Sequence, residues 1–354
     1  MNFSDNKATF SENNKIFIIA SVVMLAVMSI YTLKSLHGTL WIKQLAWFML
    51  GAFSIVIAIK MTHNFFYHYA YLFYLLGLAL LFLVSVFGTK HFGAIRWIHI
   101  GIINLQPSEI AKPLIILAVS RYLSDHQENR PLRLVHFLFA AAIVALPAFL
   151  VIMEPDLGTA IIMLSILLLV IFVAGIDKRI FFAMIILTFS AIPIIWKFLK
   201  GYQKARIIEF INPGSDPLGS SFQSVHSQII IGSGQLFGHP LGSVFPWSNF
   251  LPQSSSDFFF ALFAYQYGFV GILVLIAIFW LLISRFIKRA QNAEDNFSRY
   301  FIIGFTIIFS ISLFFNIGMT LGLVPVVGIT LPLASYGGSS IIANMISIGI
   351  ILSK

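Results

Sequence analysis

Asp257 stands where a polar stretch, Gln253-Ser254-Ser255-Ser256, meets an apolar run that opens Phe258-Phe259-Phe260. A carboxylate at the lip of a hydrocarbon span is costly to desolvate, so it points to a wet cleft, a cationic partner or a chemical task. Acidic side chains are scarce, 13 in 354 residues, which makes this position more informative than it would be in a soluble chain. The task a single carboxylate can perform there is proton abstraction, and Asp257 is the candidate general base.

Cations and further carboxylates are spaced along the chain where they could serve it. Arg96, beside Trp97, suits a phosphate contact at the membrane interface or plain snorkelling of a long side chain. Lys204 and Arg206 lie in a run of basic residues near Gly-rich stretches at 212–219 and 232–234, a combination that suits a diphosphate. No strand precedes those glycines, so a nucleotide-binding fingerprint is not supported. Asp156, in Glu154-Pro155-Asp156-Leu157-Gly158-Thr159, either caps the next helix or contacts a cation or ligand, and Glu154 is left without a stated partner. Glu109 and Lys112 are three apart and can pair on one helical face inside a bundle. Gln228 and Ser335 complete the polar side chains assigned toward a substrate.

The elements that position these residues must be membrane helices. The chain is 59% hydrophobic and 10% charged, with 37 Phe, far from the composition of a soluble domain. Helices are the only spanning form this pattern supports, and about ten spans of roughly 20 residues are predicted. They fall near 15–33, 41–60, 66–87, 107–123, 134–153, 158–175, 179–198, 259–283, 300–320 and 336–353. The fold class is therefore an all-α polytopic membrane protein, one transmembrane domain over 1–354. The placement of Lys and Arg favours cytoplasmic N- and C-termini, with the polar 1–15 leading into an uncleaved first span. The long extracytoplasmic loop 199–258, between spans 7 and 8, keeps Phe222, Ile229, Ile230, Ile231, Trp247 and Phe250. It is expected to pack back on the bundle as a lid or wall. Pro325, Gly328 and Pro332 interrupt a later apolar run, and irregular backbone at that depth must be buried or line a wet cavity. The formal charge of +9 sits in short clusters between spans, where membrane lipids rather than nucleic acid explain it. Without cysteine, disulfides and thiolate metal sites are excluded.

An ordered set of motifs then carries a family resemblance over essentially the whole chain. Gln106-Pro107-Ser108-Glu109-Ile110-Ala111-Lys112, Pro155-Asp156-Leu157-Gly158-Thr159, Asp216-Pro217-Leu218-Gly219, Ile231-Gly232-Ser233-Gly234, Leu251-Pro252 with Asp257-Phe258, and Ser335-Tyr336-Gly337-Gly338-Ser339 resemble the RodA/FtsW/SpoVE (SEDS) family of peptidoglycan glycosyltransferases. The Asp216 and Pro325-Val326-Val327-Gly328 motifs look more like the RodA, or elongation, branch, while the spacing from Leu236 to Leu251 looks closer to the division branch. The resemblance implies polymerisation of lipid II into glycan strands on the outer face of the bacterial cytoplasmic membrane, for cell elongation and shape, with Asp257 as the essential carboxylate. It implies a class B penicillin-binding protein as partner and leaves room for a divalent cation, Mg or Mn. In such a reaction Arg96, Lys204 and Arg206 would neutralise the donor diphosphate, and Glu109 with Lys112 would shape the cavity.

The chain departs from the family pattern near the base. Relatives usually read Pro-Glu-x-His-Thr-Asp where this chain has Pro252-Gln253-Ser254-Ser255-Ser256-Asp257, and Ala-Glu-Glu where it has Ala264-Tyr265-Gln266. His239 replaces a more basic residue, and Glu154 replaces a usual glutamine. The lost carboxylates put the charge field around Asp257, and any divalent-ion site there, in question. Two other classes therefore stay open: a lipid II flippase or similar ten-span transporter, and a weakly active scaffold of a cell-wall synthase.

Overall fold

The computed structural model describes residues 3–35, 38–91, 94–100, 103–126, 133–168, 199–212, 220–240 and 253–353, with isolated positions between 182 and 197. In chain order the elements are α1 (Phe3–Lys34), α2 (Leu40–Lys60), α3 (His63–Phe87), three short strands, α4 (Pro107–Asp125), α5 (Leu134–Met153), α6 (Leu157–Leu164), α7 (Gly201–Ile211), α8 (Ser220–Ser233), α9 (Phe259–Gln291), α10 (Asn296–Thr320) and α11 (Gly338–Leu352). Six of these, α1, α2, α3, α5, α9 and α10, are long and apolar enough to cross a membrane. The expected span at 179–198 falls mostly outside the described residues; the other expected spans each coincide with a helix, the one at 158–175 being described to 168.

Local chemistry sets the helix ends. Pro107 opens α4, where its missing N–H costs nothing and its fixed φ suits the first turn. Thr62 caps α3 by accepting from Phe65 N–H. Asp295 caps α10, its carboxylate accepting from Ser298 N–H at 2.7 Å. Within the bundle α4 is central, packing on α3, α5, α10 and α11, while α2 lies along α11 and α1 along α9. Small residues permit the α2–α11 approach: a Cβ on Gly349 would stand 2.7 Å from the Ala58 Cβ. The outer helices turn Phe53, Leu75, Phe82 and Trp280 away from the bundle, as lipid-facing side chains must be.

Two features were not legible as elements in the sequence. Between α3 and α4 the chain forms antiparallel strands β1 (Thr89–His91), β2 (Ala94–Ile100) and β3 (Ile103–Leu105), in the order β1-β2-β3, rather than plain loop. This local hairpin pairing, too short to register as a periodic pattern, carries Arg96. The second feature is a break in α9 at Gly268, where φ is +63° and a Cβ would meet Gly238 N at 2.3 Å. The amides freed by the break are satisfied from outside the helix: Phe269 N–H donates to Gln235 O at 2.9 Å and Val270 N–H to Leu236 O at 3.1 Å. The turn after α8 thus completes the hydrogen bonding of α9, and α8 itself packs on α9 and α10. This part of the expected lid or wall is built into the bundle.

The bundle has two chemically distinct ends. At one, the Asn14 amide donates to Arg285 O, the Ser353 hydroxyl meets His63, and the Arg289 guanidinium donates to Ile351 O. Asp257 lies ahead of the Gly268 break, and beyond that break residues 269–291 of α9 run on the order of 35 Å toward this end, so Asp257 sits at the opposite one.

Candidate active site

Asp257 occupies a tight turn over 253–258, in which Phe258 N–H and Ser256 N–H both donate to Gln253 O at 3.1 Å. The three phenylalanines that follow are buried and anchor the turn; Asp257 itself is only partly covered. Three crosslinks fix it to the irregular segment 328–336. The Ser335 hydroxyl donates to Ser256 O at 2.6 Å and accepts from Leu331 N–H at 2.9 Å. Tyr336 N–H donates to Ser255 O at 2.8 Å. From α10, the fully buried Asn316 amide donates to both Asp257 O (2.8 Å) and Ile329 O (2.6 Å). The broken run at Pro325–Pro332 is therefore the bracket that holds the base.

Arg96 reaches the same place from β2. Its Nη2 donates to Pro155 O at 2.9 Å, and its Nε lies 3.5 Å from the Asp156 carboxylate. Asp156 also caps α6, accepting from Thr159 N–H (3.1 Å) and the Thr159 hydroxyl (2.8 Å). Gly158 lets this turn touch the bracket, since a Cβ there would stand 2.5 Å from Val327 O. Gly328, at φ +73°, joins the two halves: a Cβ on it would lie 3.3 Å from Asp257 Oδ2 and 4.0 Å from Arg96 Nη1. The carboxylate and the guanidinium flank one glycine.

Burial raises the Asp257 carboxyl from 3.8 to about 6, against the opposing pull of Arg96, then of Arg206 and the Ser256 hydrogen bond, with Asp156 adding to the rise. Such a group is ionised at neutral pH yet accepts a proton far more readily than an ordinary aspartate. Glu154 is 4% exposed and is pushed up to about 8, by burial first and Asp156 second, with Arg96 opposing.

The sequence-selected residues thus divide. Asp257, Arg96, Asp156 and Arg206 converge, Arg206 acting on Asp257 from α7. Lys204 lies two residues earlier on α7 and is half-buried. Gln228 is elsewhere: its amide donates to Leu321 O at 3.1 Å, and with Ser227, which donates to Thr320 O at 2.8 Å, it holds the exit from α10. Ser335 braces the base turn. Lys112 Nζ bonds Glu109 Oε1 at 2.7 Å, and the pair lines a cavity of about 30 Å³ with Ser312, Thr330 and Asn344. That cavity lies behind the bracket, sharing Ile329 and Thr330 with it. At the departed positions, His239 stacks on Tyr265 at 4.2 Å and Gln266 accepts from the Ser35 hydroxyl at 3.2 Å. Among the described residues no three His, Cys, Asp or Glu side chains group so as to hold a metal ion.

Sequence reasoning missed Gln44 and Ser29. Gln44 donates to Ser29 Oγ (2.9 Å) and Ser335 O (3.0 Å), and Ser29 donates to Ala334 O (2.5 Å), so two early helices support the bracket from behind. The signal was present: fully buried polar residues inside apolar spans need partners.

The family model described as cell cycle protein, FTSW_RODA_SPOVE, matches residues 11–353. Peptidoglycan glycosyltransferase MrdB of Escherichia coli K12 is 34% identical, with 100% of this chain and 97% of MrdB covered. The probable peptidoglycan glycosyltransferase FtsW of Coxiella burnetii is 34% identical over 88% of this chain and 85% of its own. Among solved structures, a chain from work on the coordination of polymerization and crosslinking by a peptidoglycan synthase complex superposes with a TM-score of 0.82 at 29% identity, covering 95% of each chain. The rod shape determining protein RodA of Thermus thermophilus gives a TM-score of 0.70 at 27% identity, covering 95% of this chain and 94% of its own. Matched from end to end by family, relatives and fold, the chain belongs to the FtsW/RodA/SpoVE family of multi-pass membrane proteins.

Proposed function

We propose that the chain is a peptidoglycan glycosyltransferase of the RodA type, polymerising lipid II into glycan strands on the outer face of the bacterial cytoplasmic membrane for cell elongation and shape. The observation that carries it is the pairing of Asp257 with Arg96 across Gly328, at the bundle end opposite the one where Asn14 of α1 and Ile351 of α11 bond the end of α9. With both termini cytoplasmic, that end faces outward, where sugar units carried on lipid diphosphates are exposed.

The reaction needs a base, an anion site and a fixed geometry. Asp257 takes the proton from the acceptor sugar hydroxyl as its oxygen attacks the anomeric carbon of the donor. The bond from that carbon to the diphosphate breaks, and its electron pair leaves on the diphosphate oxygen. Arg96 and Arg206 stand where this growing negative charge can be met by fixed cations, with Lys204 beside them on α7. Because Arg96 is held by Pro155 O and Asp156, and Asp257 by Asn316 and Ser335, neither has to be ordered by the substrate. Glu109 and Lys112 keep polar space open behind the bracket. Mg or Mn entering this reaction would be carried on the substrate's diphosphate. The product strand suits a class B penicillin-binding protein as crosslinking partner.

Purified chain is incubated with lipid II, with and without such a partner, and glycan products are resolved by length; a fluorescent lipid II translocation assay runs in parallel. Strand formation without translocation is expected. Translocation without strand formation would replace the polymerase by a flippase.

A further inference from the structure

Glu154 is a buried acid beside the site for which the mechanism above has no use. It ends α5 one residue before the carbonyl that holds Arg96 and two before Asp156. Its Oε1 is buried without a hydrogen-bond partner, and the side chain is 4% exposed. Arg96 Nε, facing the same turn, is likewise buried without a hydrogen bond. A carboxylate in the field of a guanidinium would normally pair with it. Here Arg96 is committed instead to Pro155 O and Asp156, and its Nη1 points toward Gly328 and Asp257.

We infer that Glu154 is a positioning residue that works as a neutral carboxylic acid, leaving Arg96 available to the donor diphosphate, and that its ionisation weakens donor binding. The inference rests on Asp257 and Arg96 acting as base and diphosphate partner. Among the charges that act on the base, with Asp257 itself included, a neutral Glu154 leaves Arg96 and Arg206 against Asp156 and Asp257, two cations against two anions. Proton transfer to Asp257 then leaves the site net positive while the leaving group gains charge. With Glu154 ionised, that set turns net negative and, even with Lys204 nearby on α7, its pull on an incoming diphosphate weakens.

The charged groups that act on Glu154 are Asp156 on its own turn and Arg96 from β2. Among the described residues, α3, α4 and α6 pack on α5, and apart from Asp156, the cap of α6, they bring no charge among the causes acting on it. Burial dominates and holds its midpoint near 8. Between pH 7 and 9 the neutral fraction then falls about tenfold.

Lipid II polymerisation by the purified chain is measured from pH 5.5 to 9.5, with kcat and KM resolved, for wild type and Glu154→Gln. The wild type is expected to lose about tenfold in kcat/KM from pH 7 to 9 through a rise in KM, on top of an acid limb set by Asp257. Glu154→Gln, isosteric and always neutral, should keep the acid limb and lose the alkaline one. An alkaline limb unchanged in Glu154→Gln, or one confined to kcat, overturns the inference. Should Glu154→Gln not fold, lipid II binding to the Asp257→Asn variant decides the matter without turnover: binding about tenfold weaker at pH 9 than at pH 7 is expected, and equal binding refutes it. Polymerisation by Asp257→Asn would instead defeat the base assignment itself, whatever Glu154 does.

Discussion

Asn316 is the sharpest test of how the base is held. Its amide nitrogen alone donates to Asp257 O at 2.8 Å and Ile329 O at 2.6 Å, tying the base turn to the bracket from a fully buried position on α10. Asn316→Ala removes both bonds and strands both carbonyls. Each lost bond is worth about 0.5–1.5 kcal/mol net, and each buried carbonyl left without a donor costs about 1–3 kcal/mol. Because the turn can shift to recover one partner, a stability loss of about 2–4 kcal/mol is expected. That shift moves Asp257 relative to Arg96, and a displacement of about 1 Å at a reacting group lowers the rate by roughly a hundredfold. Thr306→Val on the same helix is the control, since its hydroxyl bonds only Ile302 O of its own turn. Thermal melting in detergent and lipid II polymerisation are read on all three proteins. Asn316→Ala should melt lower and lose most of its kcat, with Thr306→Val near wild type. An Asn316→Ala enzyme within about twofold of wild-type activity, with an unchanged melt, would show that the two bonds do not position the base.

Further expectations concern the charges around the site. The folded-state carboxyl of Asp257 is raised from 3.8 to about 6. Polymerisation should therefore fall as pH drops through about 6. The same shift means that stability contributed at Asp257 is fully present below its unfolded value and is lost as pH rises toward 6. Asp257→Asn should then melt higher than wild type at pH 7, by about 1–3 kcal/mol after allowance for partial exposure, and the difference should vanish near pH 4; a lower melt at pH 7 contradicts this. Gly328→Ala puts a methyl 3.3 Å from Asp257 Oδ2 on backbone at φ +73°. It should cost about 1–2 kcal/mol and depress kcat; retained kcat would mean the two charged groups do not work across that glycine. Arg206→Ala should raise KM for lipid II more than Lys204→Ala does, because Arg206 is the one of the pair that acts on Asp257; equal effects would remove that distinction.

Much of the fold was readable because membrane helices announce themselves by apolar length, and because Pro107 and Asp156 sit where helix starts are needed. The site was half readable. Asp257 stood out as a carboxylate against three phenylalanines, and those phenylalanines prove to be the anchors that leave it partly uncovered. Asp156 proved to be both cap and partner of Arg96, joining two readings held apart in the sequence. Gln228 was drawn in by its glycine-rich neighbourhood, yet its amide is spent on Leu321 O. The strands carrying Arg96 and the support from Gln44 and Ser29 escaped because both depend on contacts across the bundle, and no periodicity encodes those. Gly328 looked like one helix breaker among several; its role follows only from what stands on either side of it.

Asp257→Asn preserves the shape of the side chain and removes its capacity to take a proton. In purified, correctly folded enzyme supplied with lipid II and its transpeptidase partner, the substitution is expected to abolish glycan strands while lipid II still binds. Strands of wild-type length and rate from the Asp257→Asn enzyme would contradict the assignment of that carboxylate as the base.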